Sequence, residues 1–67
     1  MPFDRARLAR LRAQHVLTQK ELGARAGLTE LTISKIETGQ QTPRPSTIRK
    51  LASALDVKPT DLIDDAD

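Results

Sequence analysis

Cysteine is absent from this sequence of 67 residues, which excludes disulfide bonds and cysteine-ligated zinc sites. A chain without cysteine suits a reducing cytosol, and we expect a cytoplasmic protein. Long apolar runs are absent too, since no stretch approaches the roughly 18 consecutive apolar residues of a membrane span. The N-terminal stretch MPFDRARLAR carries charge where a secretory signal has its apolar core. We therefore expect no membrane partner, and a single domain with a small core.

The charged residues are unevenly distributed along the chain. Residues 1–50 hold ten Lys and Arg against four acidic residues, a balance of +6, whereas residues 51–67 hold one lysine against five aspartates, a balance of −4. A basic body is typical of proteins that bind polyanions such as DNA, although it also occurs on ordinary solvated surfaces. Charge alone therefore leaves both interpretations open.

Apolar residues recur at helical spacing through most of the chain, and no segment has the alternation of a strand. The pattern predicts an all-α fold with five short helices: from Asp4 to about His15, from Gln19 to Ala26, from the cap Thr29 to Gly39, from the cap Ser46 through TIRKLASAL, and a last short turn at residues 60–63. The stretch QQTPRPS predicts a loop, because proline lacks the backbone N–H. We expect residues 1–67 to form one domain, with fraying at residues 64–67.

The second and third predicted helices are joined by a very short turn. Thr18 and Glu21 have the spacing of a capping box, and Gly27 can end the second helix in the left-handed conformation. So short a connection brings the two helices into contact, and Gly23 is the small residue predicted at that contact. Two helices joined by a tight glycine turn, at about residues 19–38, predict a helix-turn-helix.

The segment LTQKELGARAGLTELTISKIETGQQTPRPSTIRKLASAL resembles the helix-turn-helix domain of the Cro and lambda-repressor family, the xenobiotic-response-element family of bacterial regulators. The resemblance covers about residues 4–63 and implies a compact five-helix lambda-repressor-like DNA-binding domain. Gly23 stands where the family usually has alanine, and both residues are small. His15 and Val16 stand where the family often has a basic residue and glycine, which affects the loop before Thr18.

The third predicted helix separates into a core face and an outward face. With Ile33 and Ile36 directed at the core, a rotation of about 100° per residue turns the other residues outward. These outward residues are Glu30, Leu31, Ser34 and Lys35. In a helix-turn-helix the second helix meets base edges in the major groove. Lys35 can donate to guanine, Glu30 can accept from cytosine, and Leu31 can contact a thymine methyl group.

Other residues are predicted to bind DNA phosphates without reading sequence. Gln19 lies in the first turn of the second helix, where the helix dipole favours an anion, and the resemblance assigns it a phosphate contact. The further candidates are Lys20, Thr29, Thr32, Thr42 and Arg44, with Arg25 more peripheral. Simpler explanations stay open: Leu31 could be core, or covered by a neighbouring subunit, and Glu30 could be an ordinary first-turn acid. Lys35 and Gln19 could be solvated surface residues.

Some polar residues are better explained as scaffold than as chemistry. The resemblance implies that Arg12 pairs with Glu37 and so joins the first and third helices, while Gly27 and Gly39 end helices. His15 has no second metal ligand at a suitable spacing, and the aspartates 61, 64, 65 and 67 lie at a terminus that cannot fix their geometry. No nucleophile, base and oxyanion donor occur together. We therefore expect no enzyme, no metal and no cofactor.

The resemblance and the helix geometry together predict a sequence-specific DNA-binding transcriptional regulator, a repressor that reads a palindromic operator as a homodimer. The dimer surface is expected near TPRP and DVKPTDL, where Val57, Leu62 or Ile63 could supply apolar contact. A small-molecule ligand is not expected in so small a core. One alternative is an antitoxin-like or other protein-interaction module with secondary DNA binding. Another is the DNA-targeting domain of a larger protein.

Overall fold

The structure, a computed structural model, describes residues 2–64. It contains four α-helices: α1 (Arg5–Gln14), α2 (Gln19–Ala26), α3 (Glu30–Glu37) and α4 (Pro45–Ala54). A 3₁₀ turn follows at Pro59–Leu62, and the described residues contain no strand, only one isolated antiparallel bridge between Phe3 and Ile63. The all-α prediction is confirmed. No helix among the described residues is both long enough and apolar enough to cross a membrane.

The first three helices begin where side chains can satisfy their free N–H groups. The carboxylate of Asp4 accepts from the backbone N–H of Arg7 at 3.0 Å. Thr18 and Glu21 form the predicted capping box, and α2 ends at Gly27 with φ 72°. Thr29 caps α3 by accepting from the N–H of Thr32 at 3.1 Å. The predicted ends of α2 are therefore correct to the residue.

The fourth helix begins earlier than predicted, so the assignment of Ser46 as its cap is wrong. Arg44 is the N-cap residue, and its side chain makes no capping hydrogen bond. Pro45 occupies the first helical position, where its fixed φ suits the helix and its missing N–H has no cost. Proline thus decides this boundary in place of a capping hydroxyl.

The prediction of five helices is also wrong, because the last helical segment is a 3₁₀ turn of four residues. Pro59 starts it, but Ile63 is already extended at φ −111° and ψ 132°, so the segment is too short for an α-helical hydrogen-bond ladder. The N–H of Asp4 instead donates to Leu62 O, and the N–H of Asp64 to Pro2 O, both at 2.8 Å. Asp64 is therefore hydrogen-bonded to the N-terminal segment, and residues 65–67, the rest of the segment expected to fray, lie outside the described residues.

The core collects apolar residues from every helix and from the 3₁₀ turn. Its largest members, all almost without solvent exposure, are Leu8, Leu22, Ile33, Ile36, Leu51, Leu55 and Leu62. Full burial of such a side chain stabilises the fold by about 1.5–3 kcal/mol. Leu62 is 0% exposed, so the prediction that it could contribute to a dimer surface is wrong. It closes the core beneath the 3₁₀ turn.

Candidate nucleic-acid interface

Helix α3 has the two faces that its sequence predicts. Ile33 and Ile36 are buried at 0% and 1% exposure, whereas Leu31 is 63% exposed. Glu30 and Lys35 are exposed beside it, and Ser34 is half-buried. Leu31 is thus not a core residue of this chain. The outward face combines an apolar, an acidic, a hydroxyl and a basic side chain, which can make apolar contacts and can donate and accept hydrogen bonds.

A two-armed ion pair fixes the C-terminal end of α3 against α1. Arg12 donates from Nε to Glu37 Oε2 at 2.7 Å and from Nη2 to Oε1 at 3.0 Å. Its third nitrogen, Nη1, donates to the carbonyl of Leu17 at 2.8 Å. The hydrogen bond with Glu37, aided by the attraction of opposite charges, raises the pKa of Arg12 above its ordinary value although burial opposes this. The pairing implied by the family resemblance is therefore present.

Gln19, the leading candidate for a phosphate contact, also contacts Glu37. Its Nε2 donates to Glu37 Oε1 at 3.1 Å, and its side chain is half-buried. Gln19 is the first residue of α2, at the positive end of the helix dipole. The neighbouring Lys20 is exposed. The structure thus brings a phosphate candidate and a scaffold carboxylate together, which the sequence did not predict.

The hydroxyl groups of Thr29 and Thr32 lie at the N-terminal end of α3. Their Oγ1 atoms are 2.9 Å apart, and the Oγ1 of Thr29 also accepts the N–H of Thr32. Thr29 is exposed and Thr32 is half-buried. Both hydroxyls therefore contribute to the local structure of the cap. One of their two protons is donated from one hydroxyl to the other, so only one proton remains for a further acceptor.

A polar groove separates α3 from the beginning of α4. It has a volume of about 570 Å³, and the residues lining it are Leu28, Thr32, Gln41, Thr42, Arg44, Ser46, Thr47 and Lys50. Three of the predicted phosphate ligands, Thr32, Thr42 and Arg44, meet here. Two positive charges and no carboxylate line the groove, so it favours an anion.

Helix α4 also contributes to this groove, which the sequence did not lead us to expect. Ser46, Thr47 and Lys50 were not among the predicted ligands. Their spacing places them on one helix face, because residues three and four apart lie side by side on a helix. The apolar residues Ile48 and Leu51 lie on a different face, which is directed at the core. The polar stripe of α4 therefore had a signal in the sequence.

Arg5, the first residue of α1, was also not predicted, and its side chain contacts the C-terminal end of α3. Its Nη1 donates to the carbonyl of Glu37 at 3.4 Å. The guanidinium also covers Gly39, which has φ 82°, so closely that a β-carbon there would lie 3.0 Å from Nη1. A cation at this end complements the helix dipole. Nothing in the sequence separates Arg5 from the other arginines of α1.

The loop after α3 is tied back to the helix that precedes it. The N–H groups of Gln40 and Gln41 both donate to Lys35 O, at 2.9 and 3.2 Å. Thr38 Oγ1 donates to Ser34 O at 2.8 Å, and Gln40 Nε2 donates to Thr38 Oγ1 at 3.1 Å. The carbonyls at the end of α3 are thus satisfied within the chain. The backbone that carries Lys35 is held in place.

A mainly apolar groove lies on another side of α4. Its volume is about 420 Å³, and it is lined by Pro45, Ile48, Arg49, Pro59, Thr60 and Ile63. Of the apolar residues predicted for the dimer surface, Ile63 lies in this groove, and Val57 is half-buried against the core. The beginning of α4, with Pro45, and the 3₁₀ turn, with Pro59, form its two walls.

The described residues contain no cluster of three or more His, Asp or Glu side chains arranged as metal ligands. His15 is exposed and is the C-cap residue of α1.

Comparison with known proteins gives matches along almost the whole chain. A family model described as helix-turn-helix matches residues 8–62. The HTH-type transcriptional regulator RghRB of Bacillus subtilis is 46% identical over 57 residues, which are 84% of this chain and 40% of that protein. A second HTH-type transcriptional regulator, from Sinorhizobium fredii, is 39% identical over 88% of this chain and 77% of its own length. This chain therefore spans less than half the length of RghRB.

Two solved structures share the fold. The restriction-modification controller protein C.AhdI from Aeromonas hydrophila superposes with a TM-score of 0.86 at 36% identity, over 88% of this chain and 89% of its own. The P22 c2 repressor, in complex with a synthetic operator, also gives a TM-score of 0.86, over 98% of this chain and all of its own, at 23% identity. At that lower identity the likeness concerns the fold alone.

Proposed function

The chain belongs to the Cro/lambda-repressor-like helix-turn-helix family, and on that premise we propose that it is a sequence-specific DNA-binding transcriptional regulator, a repressor that reads a palindromic operator. The observation that carries the proposal is the outward face of α3. Ile33 and Ile36 hold this helix on the core, and the polar groove with its two positive charges lies beside it. A rigid helix with exposed, chemically mixed side chains fits the DNA major groove.

In the proposed complex, four residues of α3 meet base edges. Lys35 donates to guanine O6 or N7, Glu30 accepts from cytosine N4, and Leu31 contacts a thymine methyl group. Ser34, half-buried between them, can donate or accept. These proposed base contacts are supported by the exposure of this face of α3 and by its fixed orientation on the core.

The phosphate contacts are proposed for the residues on either side of α3. Gln19 and Lys20 lie at the beginning of α2, and Thr29 caps α3. Thr32, Thr42 and Arg44 line the polar groove, to which α4 adds Lys50. These contacts fix the position of α3 on the duplex without reading sequence.

The similar proteins support regulation at DNA. RghRB and the protein from Sinorhizobium fredii are HTH-type transcriptional regulators, and C.AhdI is a restriction-modification controller protein. The fold is one that the P22 c2 repressor presents to an operator. We propose no catalytic role, and we propose that the protein acts in the cytoplasm.

We propose that two copies bind one operator. One helix reads too few base pairs for useful specificity, and a twofold pair of helices would read two half-sites. The apolar groove between the beginning of α4 and the 3₁₀ turn is the proposed contact, because Ile48 and Ile63 offer apolar area there. A groove of this size makes a small interface, so the dimer is expected to strengthen on DNA.

Selection of bound sequences from random duplex DNA tests the function, the spacing and the symmetry together. We expect two inverted half-sites with centres about 34 Å apart, one helical turn. In the Lys35→Ala variant, preference should relax at one position of each half-site, whereas Gln19→Ala should weaken binding to all sequences alike. Raising salt from about 50 to about 200 mM should weaken the complex by orders of magnitude. No enriched sequence, or a complex insensitive to salt, would overturn the proposal.

A further inference from the structure

We infer that Glu37 is a positioning residue for DNA binding, because it orients the Gln19 side-chain amide toward the phosphate backbone. The inference rests on the proposed function, since it concerns how that function is performed. Its basis is the hydrogen bond of 3.1 Å from Gln19 Nε2 to Glu37 Oε1. The same oxygen accepts from Arg12 Nη2 at 3.0 Å, so Glu37 contacts both the scaffold residue Arg12 and the phosphate candidate Gln19.

The carboxylate selects one of the two amide orientations. An ionised carboxylate has acceptors and no donor, so the amide nitrogen of Gln19 must face it. The flipped orientation would place Oε1 of Gln19 against Oε1 of Glu37, two acceptors in contact. With glutamine at position 37, either end of that amide could face Gln19, and the orientation would no longer be fixed.

The selected orientation leaves the group that a phosphate needs. Phosphate oxygens accept hydrogen bonds, and the NH₂ group of Gln19 has two N–H bonds. One is directed at Glu37, and the second remains for a phosphate at the beginning of α2, where the helix dipole also favours an anion. A glutamine held in this way does not have to be ordered on binding, which reduces the entropic cost of the contact.

Arg12 makes a carboxylate tolerable so close to DNA. The Glu37 side chain is only 7% exposed, and an unpaired carboxylate there would repel a phosphate at Gln19. Arg12 places its guanidinium on both carboxylate oxygens, at 2.7 and 3.0 Å, and so compensates the charge. Glu37 can therefore accept the hydrogen bond from Gln19 without its negative charge repelling the phosphate.

A double-mutant cycle tests the coupling. The probe is a duplex of arbitrary sequence, about 21 base pairs or two turns long, at about 50 mM salt, because a phosphate contact does not depend on sequence. In the otherwise unchanged protein, Gln19→Ala should weaken binding about tenfold, as expected for a hydrogen bond to a charged group. In the Glu37→Gln background the same change should weaken binding by about threefold or less. A tenfold loss in both backgrounds overturns the inference.

The control variant is Arg12→Lys, which weakens the ion pair but leaves the carboxylate beside Gln19. In this background Gln19→Ala should again cost about tenfold. If Arg12→Lys removes the Gln19 effect as fully as Glu37→Gln does, general loosening of α3 explains the result and Glu37 has no separate positioning role. If the unchanged protein binds neither this duplex nor any sequence selected from random DNA, the proposed function itself fails, which is a different outcome from additivity.

A measurement on the unchanged protein covers the case in which Glu37→Gln does not fold. The side-chain NH₂ group of Gln19 gives two proton resonances by NMR, identified by their loss in Gln19→Ala. We expect one proton to be shifted already in the free protein by its bond to Glu37, and the other to shift when the duplex is added. Two protons that both resemble those of a free glutamine overturn the inference.

Discussion

A β-carbon added to Gly23 would lie 2.7 Å from the carbonyl oxygen of Leu28, across the turn that joins α2 to α3. The two residues are also joined by a hydrogen bond, since the N–H of Leu28 donates to Gly23 O at 2.7 Å. The next nearest atoms, in Thr29 and Glu30, are backbone as well. The turn therefore lies closer to α2 than any residue with a β-carbon permits, and glycine and alanine are not equivalent at this position.

Gly23→Ala is expected to destabilise the protein by about 1–2 kcal/mol. The helix propensity of alanine favours the change by about 1 kcal/mol, but the atom that must move is a backbone oxygen, so the overpacking cost lies in the upper part of its usual range, at about 2–3 kcal/mol. Urea unfolding followed by circular dichroism measures the difference. Ala24→Gly is the matched control, because Ala24 is exposed on the same helix and reports propensity alone. An alanine variant as stable as the parent would contradict the prediction.

The helix boundaries show what local sequence could predict. The ends of α2 followed from Thr18, Glu21 and Gly27, because the capping box and the C-terminal glycine act within one turn. Ser46 misled for the opposite reason: a suitable capping hydroxyl was outcompeted by Pro45 at the first helical position. The distance between Gly23 and Leu28 depends on how two helices cross, which no local pattern encodes.

Val16→Gly is expected to stabilise the protein by about 1 kcal/mol. Val16 has φ 54° and is 87% exposed, so it is a β-branched residue in the left-handed conformation without core contacts in return. It occupies the position after α1 where glycine is usual, with its N–H bonded to Ala13 O and the next N–H, that of Leu17, to Arg12 O. The left-handed conformation costs a non-glycine residue about 1–2 kcal/mol, and glycine avoids this cost. Glycine also loses more conformational entropy on folding, which reduces the net gain.

Thermal unfolding of three proteins checks this explanation. Val16→Ala removes the branched side chain but keeps the β-carbon, so it should gain less than Val16→Gly. If the glycine variant proves less stable than the parent, the turn is not strained at this residue.

The stability contributed by Glu21 should depend on pH. Its carboxylate accepts from the backbone N–H of Thr18 at 2.8 Å, and this hydrogen bond, with a smaller contribution from the Thr18 side chain, lowers the pKa of Glu21 below its ordinary value of 4.5. A lowered pKa means that folding favours the ionised form. The contribution is therefore present above the ordinary pKa and is lost as the pH falls through the lowered value of the folded state.

Comparison with Glu21→Gln isolates this contribution, because all other carboxylates titrate in both proteins. The glutamine can still accept through its carbonyl oxygen but carries no charge. The parent should be the more stable protein at about pH 7, and the difference should shrink as the pH falls below the ordinary pKa of 4.5 and through the lowered pKa of the folded state. A stability difference that stays constant over this range would show that the charge of Glu21 does not matter.

The candidate interface was predictable only in part. The faces of α3 followed from helical periodicity, because Ile33 and Ile36 define one direction and Leu31 breaks the pattern. The contact between Gln19 and Glu37 joins residues 18 positions apart, and that between Arg5 and Glu37 spans 32. Such contacts depend on tertiary packing, so no local pattern in α1 or α2 predicted that Arg5 and Gln19 would reach the end of α3. Only the Arg12–Glu37 pair was expected, and that expectation came from the family resemblance.

Leu31→Ala separates the core explanation of Leu31 from the DNA explanation. At 63% exposure the side chain loses little apolar burial when truncated, so the free energy of unfolding should change by less than about 0.5 kcal/mol. Ile33→Ala, two positions along the same helix and fully buried, should cost about 2–5 kcal/mol. Urea unfolding of both variants measures this contrast directly.

Affinity for the selected operator should show the reverse contrast: Leu31→Ala should bind more weakly than Ile33→Ala. The comparison is made at a temperature where both variants are folded. Leu31→Ala loses a methyl contact at one base pair in each half-site, so its free energy of operator binding is expected to weaken by about 1–3 kcal/mol. The preference for thymine at that position should relax. An operator with thymine replaced by uracil, which lacks the methyl group, should bind the parent more weakly but leave the alanine variant unchanged. If the uracil operator weakens both proteins equally, the thymine methyl group meets another residue, and the exposure of Leu31 must serve a different contact.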